Sequence, residues 1–130
     1  MKLEVGMYLR HSGLHGDYPI IQKITELRTP GICGAKYNVY TDKTDGWFID
    51  SDYIKMAVGR GEEPQPSFNI IDILEEGDYV NGREVVDIFY DANDDVMDVC
   101  VLGSIVYDNN EIKSVITHEQ MEQMAYKVGE

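Results

Sequence analysis

The chain has 130 residues, 43% of them hydrophobic, and a formal net charge of −13 at pH 7. This length suits one compact domain or two very small barrels, and no apolar run approaches the roughly 20 residues of a membrane-spanning helix, so we expect no membrane partner. The N-terminus shows no basic segment followed by an apolar stretch and a cleavage site, so we expect the protein in the cytoplasm.

The charge is divided unevenly along the chain. Residues 1–60 carry eight Lys and Arg and seven Asp and Glu, a net of +1, whereas residues 61–130 carry three and seventeen, a net of −14. A surface this negative repels phosphate backbones, so we expect no direct nucleic-acid binding by the second half. A basic groove on another protein would attract the same surface, although acidity also serves solubility alone.

The two halves contain an internal repeat. Residues 3–9 and 74–80 share the pattern L-E-x-G-x-Y followed by an aliphatic residue. Turn-forming residues and then an aliphatic strand follow each copy, at 19–24 and at 83–88. A third echo sets Asp52-Tyr53-Ile54-Lys55 against Glu111-Ile112-Lys113. Three matches in the same order predict two structurally related halves.

Short apolar stretches rich in β-branched and aromatic residues, such as 37–40 and 99–102, predict strands in both halves. The strongest hairpin signal is Asn81-Gly82, because both residues tolerate the positive φ angles of a type I′ turn. We therefore expect a mainly β fold, formally α+β with one short C-terminal helix, built as tandem SH3-like small β-barrel halves.

The predicted boundaries place the first half at residues 1–58 and the second at 68–130. Residues 59–67 contain two glycines, two prolines and almost no apolar side chain, which predicts a linker. The C-terminal helix is expected from about 118 to 124, since Thr117 and Gln120 have the spacing of a capping box. A last short strand is expected at 125–128.

No catalytic signature is present in the sequence. Gly59-Arg60-Gly61 lacks the lysine and the strand-to-helix context of a phosphate-binding loop, and no G-x-S-x-G elbow occurs. A small metal-dependent enzyme would still need an acid, a base and a nucleophile, and no such set is recognisable. We therefore expect a binding protein and not an enzyme.

A zinc site is predicted at His11, His15 and Cys33, with Asp17 as a further candidate ligand. Imidazole nitrogen and thiolate sulfur are the ligands that tetrahedral zinc prefers, and the glycines around these residues permit tight turns. The alternative is two solvent-exposed loop histidines and a buried thiol.

The second half offers a candidate contact surface. Asp91, Asp94, Asp95 and Asp98 lack the glycine and the closing glutamate of a calcium-binding loop, so they predict an acidic hairpin tip. Tyrosines suit interfaces because they are rigid and amphipathic. The predicted partner-binding residues are Asp87, Asp91, Asp94, Asp95, Asp98, Asp108, Tyr90 and Tyr107.

Three stretches of the chain resemble a group of small acidic proteins from phages and integrated elements of Firmicutes. They are VGMYLR at 5–10, NIIDILEEGDYVNG at 69–82, and IKSVITHEQ through YKVGE at 112–130. The group is similar to type II-A anti-CRISPR inhibitors in size, charge and lack of catalytic motifs. This sequence departs from the group at residues 11–17, where a shorter basic-aromatic turn is expected.

The resemblance implies an anti-CRISPR protein in the cytoplasm of a bacterial host, where it binds a type II RNA-guided effector nuclease of that host and blocks target DNA loading or cleavage. Such a nuclease holds nucleic acid in a positively charged channel, which an acidic surface can occupy. The alternative is a phage regulatory adaptor that binds a host protein or nucleic acid through its SH3-like barrels, using the less acidic first half.

Overall fold

The structure, a computed structural model, describes residues 2–12 and 18–125. This part of the chain is mainly β, with two antiparallel sheets and two short α-helices. The mainly β prediction with a short C-terminal helix is confirmed. The chain divides into two compact units, residues 1–73 and residues 74–130.

The first unit is built on a four-stranded antiparallel sheet in the order β1-β2-β3-β4. Its strands are β1 (Tyr8–Ser12), β2 (Pro19–Arg28), β3 (Asn38–Thr41) and β4 (Ile49–Asp50). A register shift in β2 between Ile24 and Glu26 marks a β-bulge. The buried apolar core of this unit consists of Leu3, Leu9, Ile24, Val39, Ile49 and Ile54.

A helix that the sequence analysis did not predict follows β4 directly. Helix α1 (Ser51–Gly59) begins after Asp50, whose carboxylate accepts a hydrogen bond from the backbone N–H of Asp52. Ile54 and Ala57 are buried, so the helix is held by one narrow apolar stripe. A stripe this short gives little helical periodicity in the sequence, so the sequence alone indicates only a repeat at residues 52–55.

The second unit is a five-stranded antiparallel sheet in the order β8-β7-β6-β5-β9. Its strands are β5 (Tyr79–Val80), β6 (Arg83–Asp91), β7 (Val96–Val101), β8 (Ile105–Tyr107) and β9 (Val115–Ile116). A short 3-10 turn, Asn109–Glu111, lies between β8 and β9. Helix α2 (His118–Met124) begins after Thr117, which accepts a hydrogen bond from the Gln120 N–H, as predicted. The predicted strand at 125–128 falls mostly outside the described residues.

The Asn81-Gly82 hairpin forms as predicted between β5 and β6. The two residues have φ angles of 52° and 81°, both positive as a type I′ turn requires. Val80 and Arg83 are therefore directly paired across the turn.

The repeated segments occupy equivalent places in their two units. Gly6 and Gly77 have φ angles of 98° and 94°, and each donates a 2.9 Å backbone hydrogen bond, to Ile24 in one unit and to Val85 in the other. A β-bulge follows each acceptor, between Ile24 and Glu26 and between Val85 and Asp87. The shared turn, pairing and bulge make the two halves structurally related.

The unit boundary lies between Ile73 and Leu74, so residues 59–67, predicted as a linker, belong to the first unit. Ser67 pairs with Tyr8 through two backbone hydrogen bonds of 2.7 and 3.2 Å. Glu63 reaches His11 in β1. These polar contacts hold a segment that has almost nothing apolar to bury.

Helices α1 and α2, at nine and seven residues, are too short to cross a membrane, and no longer helix is described.

Candidate functional site

An acidic surface covers one side of the sheet in the second unit. It comprises Asp87 and Asp91 on β6, Asp94 in the following turn, Asp98 on β7 and Asp108 just after β8, and we call it the acidic face. Phe89 pairs with Asp98, and Cys100 pairs with both Asp87 and Val106. Paired residues on neighbouring strands lie on the same face of a sheet, and so does every second residue along one strand. The register therefore brings these aspartates onto one side.

The opposite side of the same sheet is the core side. Val85, Val99 and Val101 lie there, each no more than 1% exposed. The bulge between Val85 and Asp87 sends these two residues to opposite sides, so Val85 enters the core while Asp87 is exposed. The sheet thus separates an apolar interior from a row of carboxylates.

Asp98 is the electrostatic centre of the acidic face. Although Asp98 lies on the side of the sheet opposite the core, it is only 8% exposed. This desolvation raises the pKa of its carboxyl. The negative charge of Asp91 and a hydrogen bond with it raise the pKa further, and the charges of Asp108 and Asp94 add to the effect. The aspartates therefore repel one another, and a cationic partner would relieve that repulsion.

The turn between β6 and β7 is an acidic hairpin tip, as predicted. Asp91 accepts a hydrogen bond of 2.9 Å from the backbone N–H of Asn93, and Asp95 has a φ angle of 55°. On the described part of the acidic face, no three acidic, histidine or cysteine side chains bring their ligand atoms within 4.8 Å of one another. The tip lacks the convergent oxygen ligands of a calcium site.

The structure does not bring the two predicted interface tyrosines onto the acidic face. Tyr90 pairs with Met97, and Tyr107 pairs with Val99, so both tyrosines alternate onto the core side of the sheet. Tyr90 lies near the strand end, is 56% exposed and donates a hydrogen bond to Asp95. The partner-binding set predicted from the sequence is therefore split between two sides.

The predicted zinc ligands are only partly described, because His15 and Asp17 lie outside the described residues. His11 belongs to β1, is 2% exposed and places Nδ1 2.7 Å from the Glu63 carboxylate. Cys33 is exposed. The alternative expectation of exposed histidines and a buried thiol is therefore wrong for His11 and Cys33, and the zinc site at the loop stays a prediction.

The first unit contains a cavity of about 490 Å³ that the sequence analysis missed. Its lining includes His11, Ile32, Trp47, Phe48, Asp50 and Tyr53. The ring of Tyr53 meets that of His11 edge to face, with centroids 5.8 Å apart. The adjacent aromatic pair Trp47-Phe48 was the one sequence signal for this cavity, because His11 and Ile32 come from distant segments of the chain.

A second missed group lies in the second unit. Nε2 of His118 is 2.8 Å from a carboxylate oxygen of Glu75 and 2.9 Å from one of Glu119. These are the only three described residues of the His, Cys, Asp and Glu types whose ligand atoms all lie within 4.8 Å of one another. Glu75 is 43 positions from His118, so no local spacing of residues in the sequence indicates this group.

Comparison with known proteins adds no family assignment. No protein-family model matches the chain, and neither the curated proteins nor the solved structures contain a significant match.

Proposed function

We propose that the chain is a binding protein whose acidic face occupies a basic, nucleic-acid-binding groove on a protein partner. The observation that carries this proposal is the concentration of Asp87, Asp91, Asp94, Asp98 and Asp108 on one side of the sheet. In its specific form, supported by the sequence resemblance, the partner is a type II RNA-guided effector nuclease and the outcome is inhibition of target DNA loading or cleavage.

The raised pKa of Asp98 supplies the physical reason for a cationic partner. Arginine or lysine side chains placed against the acidic face would offset the mutual repulsion of its carboxylates and favour their ionised forms. A channel that binds phosphates offers such side chains in a row. Complementary charge also steers diffusional encounter, so association should be fast and should slow as salt is added.

The test is a DNA cleavage assay with several purified type II effector nucleases. The informative variant is Asp87→Asn, Asp91→Asn, Asp94→Asn and Asp108→Asn combined, which removes four charges while keeping side-chain shape and the capping oxygens. A control with the same loss of charge changes four exposed acids elsewhere: Asp45→Asn, Glu62→Gln, Glu76→Gln and Glu122→Gln.

We expect the wild-type protein and the control to inhibit at least one nuclease. The acidic-face variant should need roughly ten times the concentration, or more, for the same inhibition. The inhibition should fall when salt is raised, because exposed charge pairs are screened. If the folded acidic-face variant inhibits as well as the wild-type protein, this surface is not the contact. If the wild-type protein inhibits none of the nucleases, the anti-CRISPR form of the proposal is lost.

A second candidate function is a regulatory adaptor, and the aromatic cavity of the first unit favours it. Tyr53 is 57% exposed and Ile32 49% exposed at its rim, and aromatic cavities of this size suit a peptide side chain or small ligand. A pull-down from host lysate should compare the wild-type protein with Tyr53→Ala plus Ile32→Ala, using exposed Val5→Ala as the control. Recovery of transcription or replication proteins that only the double variant loses would favour the adaptor over the nuclease inhibitor.

A further inference from the structure

We propose that Glu75, His118 and Glu119 form a binding site for one divalent transition-metal ion, with zinc as the ion whose ligand preferences fit best. One imidazole nitrogen and two carboxylate oxygens converge there, at 2.8 and 2.9 Å from the nitrogen. Nitrogen and oxygen ligands of this kind hold zinc at about 2.0–2.2 Å, with water in a remaining position. The site lies wholly within the second unit and is separate from the zinc site predicted at His11, His15 and Cys33.

The spacing of the ligand atoms needs only a small adjustment. Ligand atoms in a tetrahedral site with bonds of about 2.0 Å lie roughly 3.3 Å apart. The Nε2 atom of His118 is therefore about half an ångström too close to each carboxylate for direct coordination. The side chains of Glu75 and His118 are 52% and 41% exposed, so their rotamers can supply that opening.

A cation would also suit the charges of this group. The Nε2 atom of His118 lies 2.8 Å from one carboxylate and 2.9 Å from the other. Two carboxylates this close to one point carry like charges and repel each other. A divalent ion at the point of convergence would accept the imidazole lone pair and attract both carboxylates.

Two buried side chains hold the backbone that carries the three proposed ligands. Asp78 is fully buried, and its carboxylate accepts hydrogen bonds from the Glu75 N–H at 2.7 Å and the His118 N–H at 2.9 Å. Thr117, also fully buried, accepts from the Gln120 N–H at 3.0 Å and so sets the start of α2. Positioning of this kind reduces the ordering that metal binding would otherwise require.

The first unit provides an internal comparison. Tyr8 pairs with Ser67 as Tyr79 pairs with Ile116, so Met7 matches Asp78 and Asn69 matches His118. The first unit makes the same glycine turn and the same strand pairing with methionine and asparagine at these two places. The Asp78 and His118 side chains are therefore not demanded by the repeated fold, which is consistent with a separate role in the second copy.

The experiment is a calorimetric titration of the metal-stripped full chain with Zn²⁺ at pH 7.5 in a buffer that does not bind metal. The titration uses a Cys33→Ser background, which removes a ligand of the zinc site predicted at His11, His15 and Cys33. In that background we expect one site per chain, and we expect His118→Asn and Glu75→Gln to weaken binding roughly tenfold or more. Exposed Glu122→Gln, placed in the same Cys33→Ser background, is the control and should leave binding unchanged.

A Co²⁺ spectrum gives a second readout. Nitrogen and oxygen ligation predicts d–d absorption without a thiolate-to-cobalt charge-transfer band. The proposal is overturned if the wild-type chain binds no Zn²⁺ or if folded His118→Asn binds it as tightly as the wild-type protein. It is likewise overturned if Cys33→Ser abolishes binding, an outcome that would support the site at His11, His15 and Cys33 instead. Circular dichroism of each variant separates lost binding from lost folding.

Discussion

The ring of His11 places its Nδ1 atom 2.7 Å from the carboxylate of Glu63, although the two residues are 52 positions apart. The His11 side chain is 3% exposed and the Glu63 side chain 11% exposed, so this hydrogen-bonded pair is largely shielded from water. Glu63 also accepts a hydrogen bond from the Ser12 N–H at 3.3 Å. One carboxylate therefore ties residues 59–67 to the edge of the first sheet.

Glu63→Ala should destabilise the protein by about 1–3 kcal/mol, because it leaves the buried imidazole of His11 without its hydrogen-bond partner. Urea unfolding followed by circular dichroism measures the change. The neighbouring exposed Glu62→Ala is the matched control and should stay within about 0.5 kcal/mol of the wild-type protein. Equal stabilities for the two variants would contradict this role for Glu63.

Asn81→Ala should cost about 2 kcal/mol of unfolding free energy. Asn81 has a φ angle of 52°, and its side-chain oxygen accepts hydrogen bonds from the Lys113 N–H at 2.8 Å and the Ser114 N–H at 3.1 Å. Alanine loses both bonds and is strained at positive φ. Thermal and urea unfolding would measure the loss, with exposed Asn110→Ala as the control. A neutral Asn81→Ala would show that the turn does not depend on this side chain.

Asp98→Asn should raise the melting temperature at pH 7. The pKa of Asp98 is raised in the folded protein by desolvation and by the neighbouring charges, so the wild-type protein loses stability as pH rises through that pKa. Asparagine removes the charge that causes this loss. The advantage should therefore be greatest near neutral pH and shrink as pH falls towards the reference pKa of 3.8.

Melting temperatures of Asp98→Asn and of the wild-type protein, measured between pH 4 and pH 8, would follow this difference. Asp87→Asn, an exposed position on the same face, is the matched control and should show a smaller effect. A difference between Asp98→Asn and the wild-type protein that does not change with pH would contradict the electrostatic explanation.

Ile54→Ala should destabilise the protein by about 2–5 kcal/mol, because it leaves a cavity where α1 meets the core of the first unit. Ile54 is 1% exposed and belongs to the core cluster with Leu9 and Val39. Met56→Ala on the same helix, at a position that is 42% exposed, should change stability far less. If the two variants unfold at the same urea concentration, α1 does not contribute to the core as described.

The sequence by itself determined those features whose causes lie within a few residues. Asn81-Gly82 indicates its own hairpin, because both residue types tolerate the positive φ angles that a type I′ turn requires. Thr117 and Gln120 likewise define the start of α2 through one local hydrogen bond. The repeated L-E-x-G-x-Y segments predicted equivalent turns, since each glycine must adopt a positive φ angle where it stands.

Only the tertiary structure decided which distant side chains meet. Strand register with its bulge placed Asp98 beside Asp91 and sent Tyr107 to the other side, and a shift of one residue would have exchanged those sides. The buried carboxylate of Asp78 brought Glu75 to His118 across 43 positions of chain. Such contacts depend on pairing between strands that are remote in sequence, and local propensity and spacing carry no information about that pairing.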